Sequence, residues 1–103
     1  MIRRIVATFI YVEETVNAQK LPIKNEYRKE VKGGLGDVYS NKYYSALNRD
    51  IELIATLKVR EEHVKDFQGG ELRYVLIDNK KCSIDKYTKI SGRYFLLDLK
   101  EEK

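Results

Sequence analysis

Residues 51–60 read IELIATLKVR, and their alternation decides the fold class. Ile51, Leu53, Ala55, Leu57 and Val59 fall on one side of an extended chain and Glu52, Ile54, Thr56, Lys58 and Arg60 on the other, the period-2 pattern of a strand with one buried face. On a helix the same five apolar residues would scatter around the circumference. The stretch is therefore a central strand, and what remains is to find the elements that cover its apolar face.

A chain of 103 residues is a single domain by length, able to bury roughly two thirds of its unfolded surface in one core. Hydrophobic residues make up 43% and charged residues 35%, with a single proline, which excludes a disordered composition. The aromatics are eight Tyr and three Phe with no Trp, and Tyr is the aromatic suited to half-buried contact surfaces. Cys82 is the only cysteine, so no intramolecular disulfide forms and the reducing cytoplasm is the expected place of folding. The N-terminal MIRRIVATFIYVEE is basic and then apolar. Its run is short, is interrupted by Thr8 and Tyr11, and lacks a small-residue cleavage site, so it reads as a first strand rather than a leader. No segment has the length of a membrane span.

Upstream of the central strand, Ile5, Ala7, Phe9 and Tyr11 alternate with Val6, Thr8, Ile10 and Val12, which predicts a strand buried on both faces or paired within an assembly. Residues 13–26, EETVNAQKLPIKNE, are polar and hold the proline, and predict a long mobile loop. Residues 27–32 predict a short second strand ended by Gly33, Gly34 and Gly36. The run GGLGDV has neither the third glycine of a dinucleotide fingerprint nor the Lys-Ser/Thr pair of a P-loop, so a flexible turn is the better reading. Residues 38–48, VYSNKYYSALN, fit a short helix capped by Ser40 and ended at Asn48. Its Tyr39, Tyr43 and Leu47 face either closes one end of a barrel or offers a tyrosine-bearing docking element.

Downstream, EEHVKDFQGGE is a polar turn region, residues 72–78 form a strand, and Asp78, Asn79 and Lys80 reverse tightly into a strand at 81–90. Ser91 and Gly92 make another turn before residues 93–99, with Phe95, Leu97 and Leu99 inward. The prediction is a mainly β protein, a small antiparallel barrel or sandwich of five to six strands with one short helix and long loops near 13–26 and 33–50.

The chain is poor in the convergent groups that catalysis and metal binding need. His63 is the only histidine and lies in a charged turn beside Glu62, a weak metal set that reads as a solvated turn. Cys82 has Lys80 and Lys81 beside it but no positioned base, and its alternation with Ile84 makes it a core residue. The carboxylate pairs Glu13-Glu14, Glu61-Glu62 and Glu101-Glu102 are sequence neighbours that a strand points to opposite faces. The residues argue against an enzyme and imply no cofactor or metal. Residues 80–93 concentrate Lys80, Lys81, Lys86, Lys89 and Arg93 against Asp85 alone. Such a patch attracts phosphate, and lysines of this kind also guard strand edges.

Several motifs follow one another in a telling order: Glu30-Val31, the segment Ser40-Asn41-Lys42-Tyr43-Tyr44-Ser45-Ala46, and the alternating strand at 51–60. Then come the turn Asp66-Phe67-Gln68-Gly69-Gly70 and hairpins running from Leu72 through Asp78-Asn79-Lys80 to Tyr94-Phe95-Leu96-Leu97. This order, over about residues 30–99, resembles the phage head-tail connector family, the small head-closure or stopper proteins of long-tailed phages. The chain departs from it in the second strand, where Lys32, Gly33 and Gly34 stand in place of aromatic or alanine residues.

The resemblance implies a virion protein of the neck, made in the host cytoplasm, that forms a homo-oligomeric ring beneath the portal and its adaptor. Such a ring closes the head, helps retain packaged DNA and offers the tail-terminator protein a platform. It also implies Tyr39, Tyr43, Tyr44 and Leu47 as a subunit or partner interface, and Lys20, Leu21, Pro22, Gly33, Gly34 and Gly36 as channel-facing loop residues. A different class remains open: a small OB-like barrel binding single-stranded nucleic acid through Lys80, Lys81, Lys86, Lys89 and Arg93, with Tyr87 as a stacking platform.

Overall fold

The computed structural model describes residues 3–37, 53–90 and 92–101. Its elements are β1 (Arg3–Val16), β2 (Pro22–Gly36), β3 (Leu53–Arg60), a 3-10 turn (Glu61–His63), β4 (Glu71–Ile77), β5 (Lys80–Ile90) and β6 (Tyr94–Glu101). The strands close into a barrel in the order β1-β2-β3-β6-β5-β4, every neighbouring pair antiparallel. The barrel alternative of the sequence reading holds, with six strands. Among the described residues no helix is long and apolar enough to cross a membrane.

The alternation of residues 51–60 holds over the second half of β3, while Thr56, placed on the wet face by the pattern, is buried. Leu57 and Val59 are fully buried and Lys58 and Arg60 are exposed. Leu57 pairs with Leu97 and Val59 with Phe95 on β6, so the two most regularly patterned strands put their apolar faces together inside the barrel. The register slips between Leu53 and Ala55, which leaves Ile54 exposed and takes Leu53, though buried, away from the central cluster. Ala7, Phe9, Tyr11, Val31, Leu72, Val75, Cys82 and Leu99 complete that cluster. On β1, Ile10 and Val12 are buried as well as Phe9 and Tyr11, so this strand is covered on both faces in its middle, as its two-sided apolar pattern requires.

Three expectations need correction. Residues 13–26 are not a long loop: β1 and β2 pair continuously from Arg3 with Leu35 to Val16 with Pro22, and the connection is residues 17–21 alone. Asn17 supplies the turn chemistry that the polar composition concealed. Its side-chain oxygen accepts from the amides of Gln19 and Leu21, each at 2.9 Å, while its carbonyl accepts from Lys20 N at 2.9 Å. Nor are Gly33, Gly34 and Gly36 a turn, since all three lie within β2. A side chain on Gly33 would put its Cβ 3.0 Å from Leu57, Val59 and the Lys58 carbonyl oxygen, so glycine is what lets β2 cross closely over β3 there. Finally, His63 is half-buried rather than fully solvated, as described below. The helix expected over residues 38–48 lies outside the described residues.

The β4–β5 turn follows the sequence reading. Asp78 and Asn79 take φ of 51° and 65°, the pair of left-handed residues that a two-residue hairpin turn uses.

Candidate functional site

The ladder leaves two surfaces unlike the rest. β1 pairs β4 only over residues 8–12, and β2 pairs β3 only over Gly34, Leu35 and Gly36. Beyond those contacts β1 and β2 have only each other, so their far ends leave the barrel as a two-stranded arm. At about 3.3 Å per residue the 14 residues of β1 account for the longest dimension of a molecule measuring 49 × 29 × 26 Å. The arm's stem carries charged pairs, Lys24 with Glu14 across its ladder at 3.8 Å and Arg28 with Glu26 along β2 at 3.8 Å. Its tip is apolar and wet: Val16 is 65%, Leu21 57% and Ile23 37% exposed.

The second surface lies near the root of the arm. Where β2 peels away from β3, residues of β1, β2, β3, the 3-10 turn and the start of β6 line an open groove of about 1030 Å³ that reaches inward to Ile5 and Val59. Val6, Gly33, Gly34 and Tyr94 give it apolar and small lining, and Arg4, Lys32, Lys58 and Arg60 stand around it. Glu30 and Glu62 are the only carboxylates among its lining residues. Lys58 lies over the Tyr94 ring, 4.7 Å from its centroid. Among the described residues none forms an ion pair with Arg4, Lys32 or Arg60, whereas Lys24, Arg28, Arg73, Lys80 and Lys89 each have a carboxylate partner.

Residues 61–70 close one end of the barrel, and Glu62 and His63 among them also line the groove. His63 meets the Phe9 ring edge-on at 6.4 Å, and its backbone carbonyl accepts a hydrogen bond from the Tyr11 hydroxyl. Burial first, then Lys29 and Arg60, lowers the His63 pKa, with Glu62 opposing. Burial pushes Tyr11 up to about 12. The Phe67 ring lies 5.2 Å from that of Tyr11, and Lys29 sits over both. Gly70 is buried against Tyr11, where a Cβ would meet the Tyr11 Cβ at 3.1 Å. This is a packed end cap. Among the described residues no three His, Cys, Asp or Glu side chains gather as a metal site.

The residues singled out in the sequence are dispersed. Lys20 and Leu21 sit in the turn at the arm tip and Pro22 opens β2, but Gly33, Gly34 and Gly36 lie at the opposite end of that strand. Tyr39, Tyr43, Tyr44 and Leu47 lie outside the described residues. The basic run at 80–93 does not form one face. Lys89 pairs in register with Phe95 and Lys86 with Asp98, on opposite sides of the sheet, and Lys80 and Lys81 lie at the far end of β5. Lys80 and Lys89 reach Glu101 and Glu61, each at 3.9 Å, and Lys81 covers the Tyr74 ring at 4.0 Å. The Tyr87 hydroxyl donates to the Leu72 carbonyl at 3.1 Å, tying β5 to β4 where their ladder has ended, and burial raises its pKa. Cys82 is the core residue its alternation with Ile84 implies, its thiol pKa raised by burial.

The groove was missed in the sequence because its residues come from four strands. The signal available was the outward set Arg4, Lys58 and Arg60, which alternation assigns to solvent without gathering it. No protein-family model matches the chain, and comparison with curated proteins gives no significant match.

Proposed function

We propose that this chain is a structural protein of the phage neck, a head-closure subunit that forms a ring below the portal and adaptor, helps retain packaged DNA and gives the tail a docking platform. The observation that carries the reading is the division of the molecule into a closed barrel and a projecting two-stranded arm. A ring subunit must present two different, complementary surfaces, because its contacts are head-to-tail. The apolar arm tip and the basic-rimmed groove are two surfaces of unlike shape and chemistry. The order of motifs from Glu30 to Leu97 supports the same reading. The test is a phage strain lacking this protein: heads fill with DNA, then lose it, and carry no tails. Electron microscopy of intact particles then finds a ring of these barrels between portal and tail. Normal tailed particles made without the protein would overturn the proposal.

A further inference from the structure

The barrel's ladder is unfinished beside the groove. β2 is paired with β1 from Pro22 to Leu35, but with β3 only at Gly34, Leu35 and Gly36. β3 in turn pairs β6 as far as Arg60, while its ladder with β2 ends at Lys58. Val59 and Arg60 on one side, and the residues of β2 that precede Gly34 on the other, therefore present strand edges with no strand of the described residues between them. The groove lies along this gap. A free edge is a row of backbone donors and acceptors open to another chain. The side chains beside the gap divide by face. Arg4, Lys32 and Arg60 are exposed on the outer side, whereas Val59 belongs to the central cluster and Ile5 packs against it.

We infer that this gap receives an extended segment of another protein in which acidic and apolar residues alternate, added as a strand to the free edge of β2. In strand addition the backbone hydrogen bonds supply affinity and the alternate side chains supply specificity. With a period of 2, the guest's outward side chains run between Lys32 and Arg60 and its inward ones meet Ile5 and Val59. These neighbours select carboxylates outside and apolar groups inside. Arg4, Lys32 and Arg60 have no carboxylate partner among the described residues of their own chain, so the guest's carboxylates meet cations that are not already paired. They are needed opposite Lys32 and Arg60 rather than opposite Glu30. A single nucleic-acid strand suits the same surface less well. Lys58 already covers the Tyr94 ring at 4.7 Å, where a base would stack, and Glu30 and Glu62 interrupt the cations along which a phosphate backbone would run. The contact goes beyond the neck assignment and does not rest on it.

Titration of the full, isotope-labelled chain with a capped synthetic octapeptide of alternating Glu and Val, followed by NMR, tests it. The amide signals of residues 28–33 and 58–60 shift, their hydrogen exchange slows, and added salt weakens binding. Lys32→Glu combined with Arg60→Glu weakens binding about tenfold or more. Lys81→Glu combined with Lys86→Glu, the same change in net charge outside the groove, leaves it as in wild type. All four side chains are exposed, so circular dichroism stays that of wild type. Two further peptides separate strand addition from mere charge attraction: one with its four Glu in a block before its four Val, and one N-methylated at every residue. Both keep the charge, and both bind about tenfold or more weakly than the alternating peptide. No shifts at millimolar peptide, shifts confined to other parts of the barrel, or control peptides that bind as well as the alternating one would overturn the proposal. Oligothymidylate that binds more tightly than the peptide, with the same dependence on Lys32 and Arg60, would overturn it too and make the groove a nucleic-acid site.

Discussion

Gly33 shows how a single side chain of hydrogen sets the course of a strand. With Leu57, Val59 and the Lys58 carbonyl all 3.0 Å from the position of a Cβ, Gly33→Val overpacks the crossing of β2 over β3. The expected loss is about 1–3 kcal/mol in chemical denaturation, and an unchanged midpoint would show that the crossing is looser than described. His63 gives a prediction in pH. Its folded pKa is lowered by burial and Lys29, so the unfolded chain takes up a proton at higher pH than the folded one. Its contribution to stability is full above about pH 6.5 and is lost as pH falls through the folded value. Denaturation midpoints measured from pH 7.5 down to 5 drop for wild type and drop less for His63→Gln; equal slopes would place the imidazole in water. Composition could not have announced this. A lone histidine between Glu62 and Val64 looks solvated until the fold brings Phe9 to its edge.

Legibility at the scale of elements follows burial. β3 and β6 were readable because each turns a regular apolar set into the core, Leu57 and Val59 against Leu97 and Leu99, although Thr56 and Asp98 on the other face are buried too. The distal halves of β1 and β2 were not, because residues 14–16 and 22–26 are exposed and a ribbon wet on both sides has no hydrophobic period to display. Its glycines misled for a related reason. Turn and close strand crossing both require a missing side chain, and sequence alone does not separate them. What holds the arm's reversal is Asn17. Asn17→Ala removes the acceptor of two turn amides, yet those groups are exposed and water replaces the lost partner, so global stability changes by less than about 1 kcal/mol. The change is local: hydrogen exchange at Gln19 and Leu21 speeds up while the amides of β3 and β6 keep their protection. Loss of protection across the barrel would mean that arm and barrel unfold as one unit.

For the whole molecule, the division into barrel and arm makes a further claim. None of residues 14–26 belongs to the central cluster, so replacing residues 14–24 by a two-residue Asn-Gly turn leaves a folded barrel, its melting temperature within about 5 °C of wild type. A collapse of the melting transition would show that the arm is part of the core after all. The closed barrel also has a history built into its seam. β3 lies beside β2 in the chain but takes its second partner from the last strand, pairing Leu53 with Lys100 and Arg60 with Tyr94. Until β6 has emerged from the ribosome, one edge of β3 has no neighbour, and the sheet is an open, adhesive ribbon rather than a barrel. Closure therefore waits for β6, a partner distant in sequence, which slows folding and makes any loss of β6 a cause of aggregation during synthesis rather than a mild loss of stability afterwards.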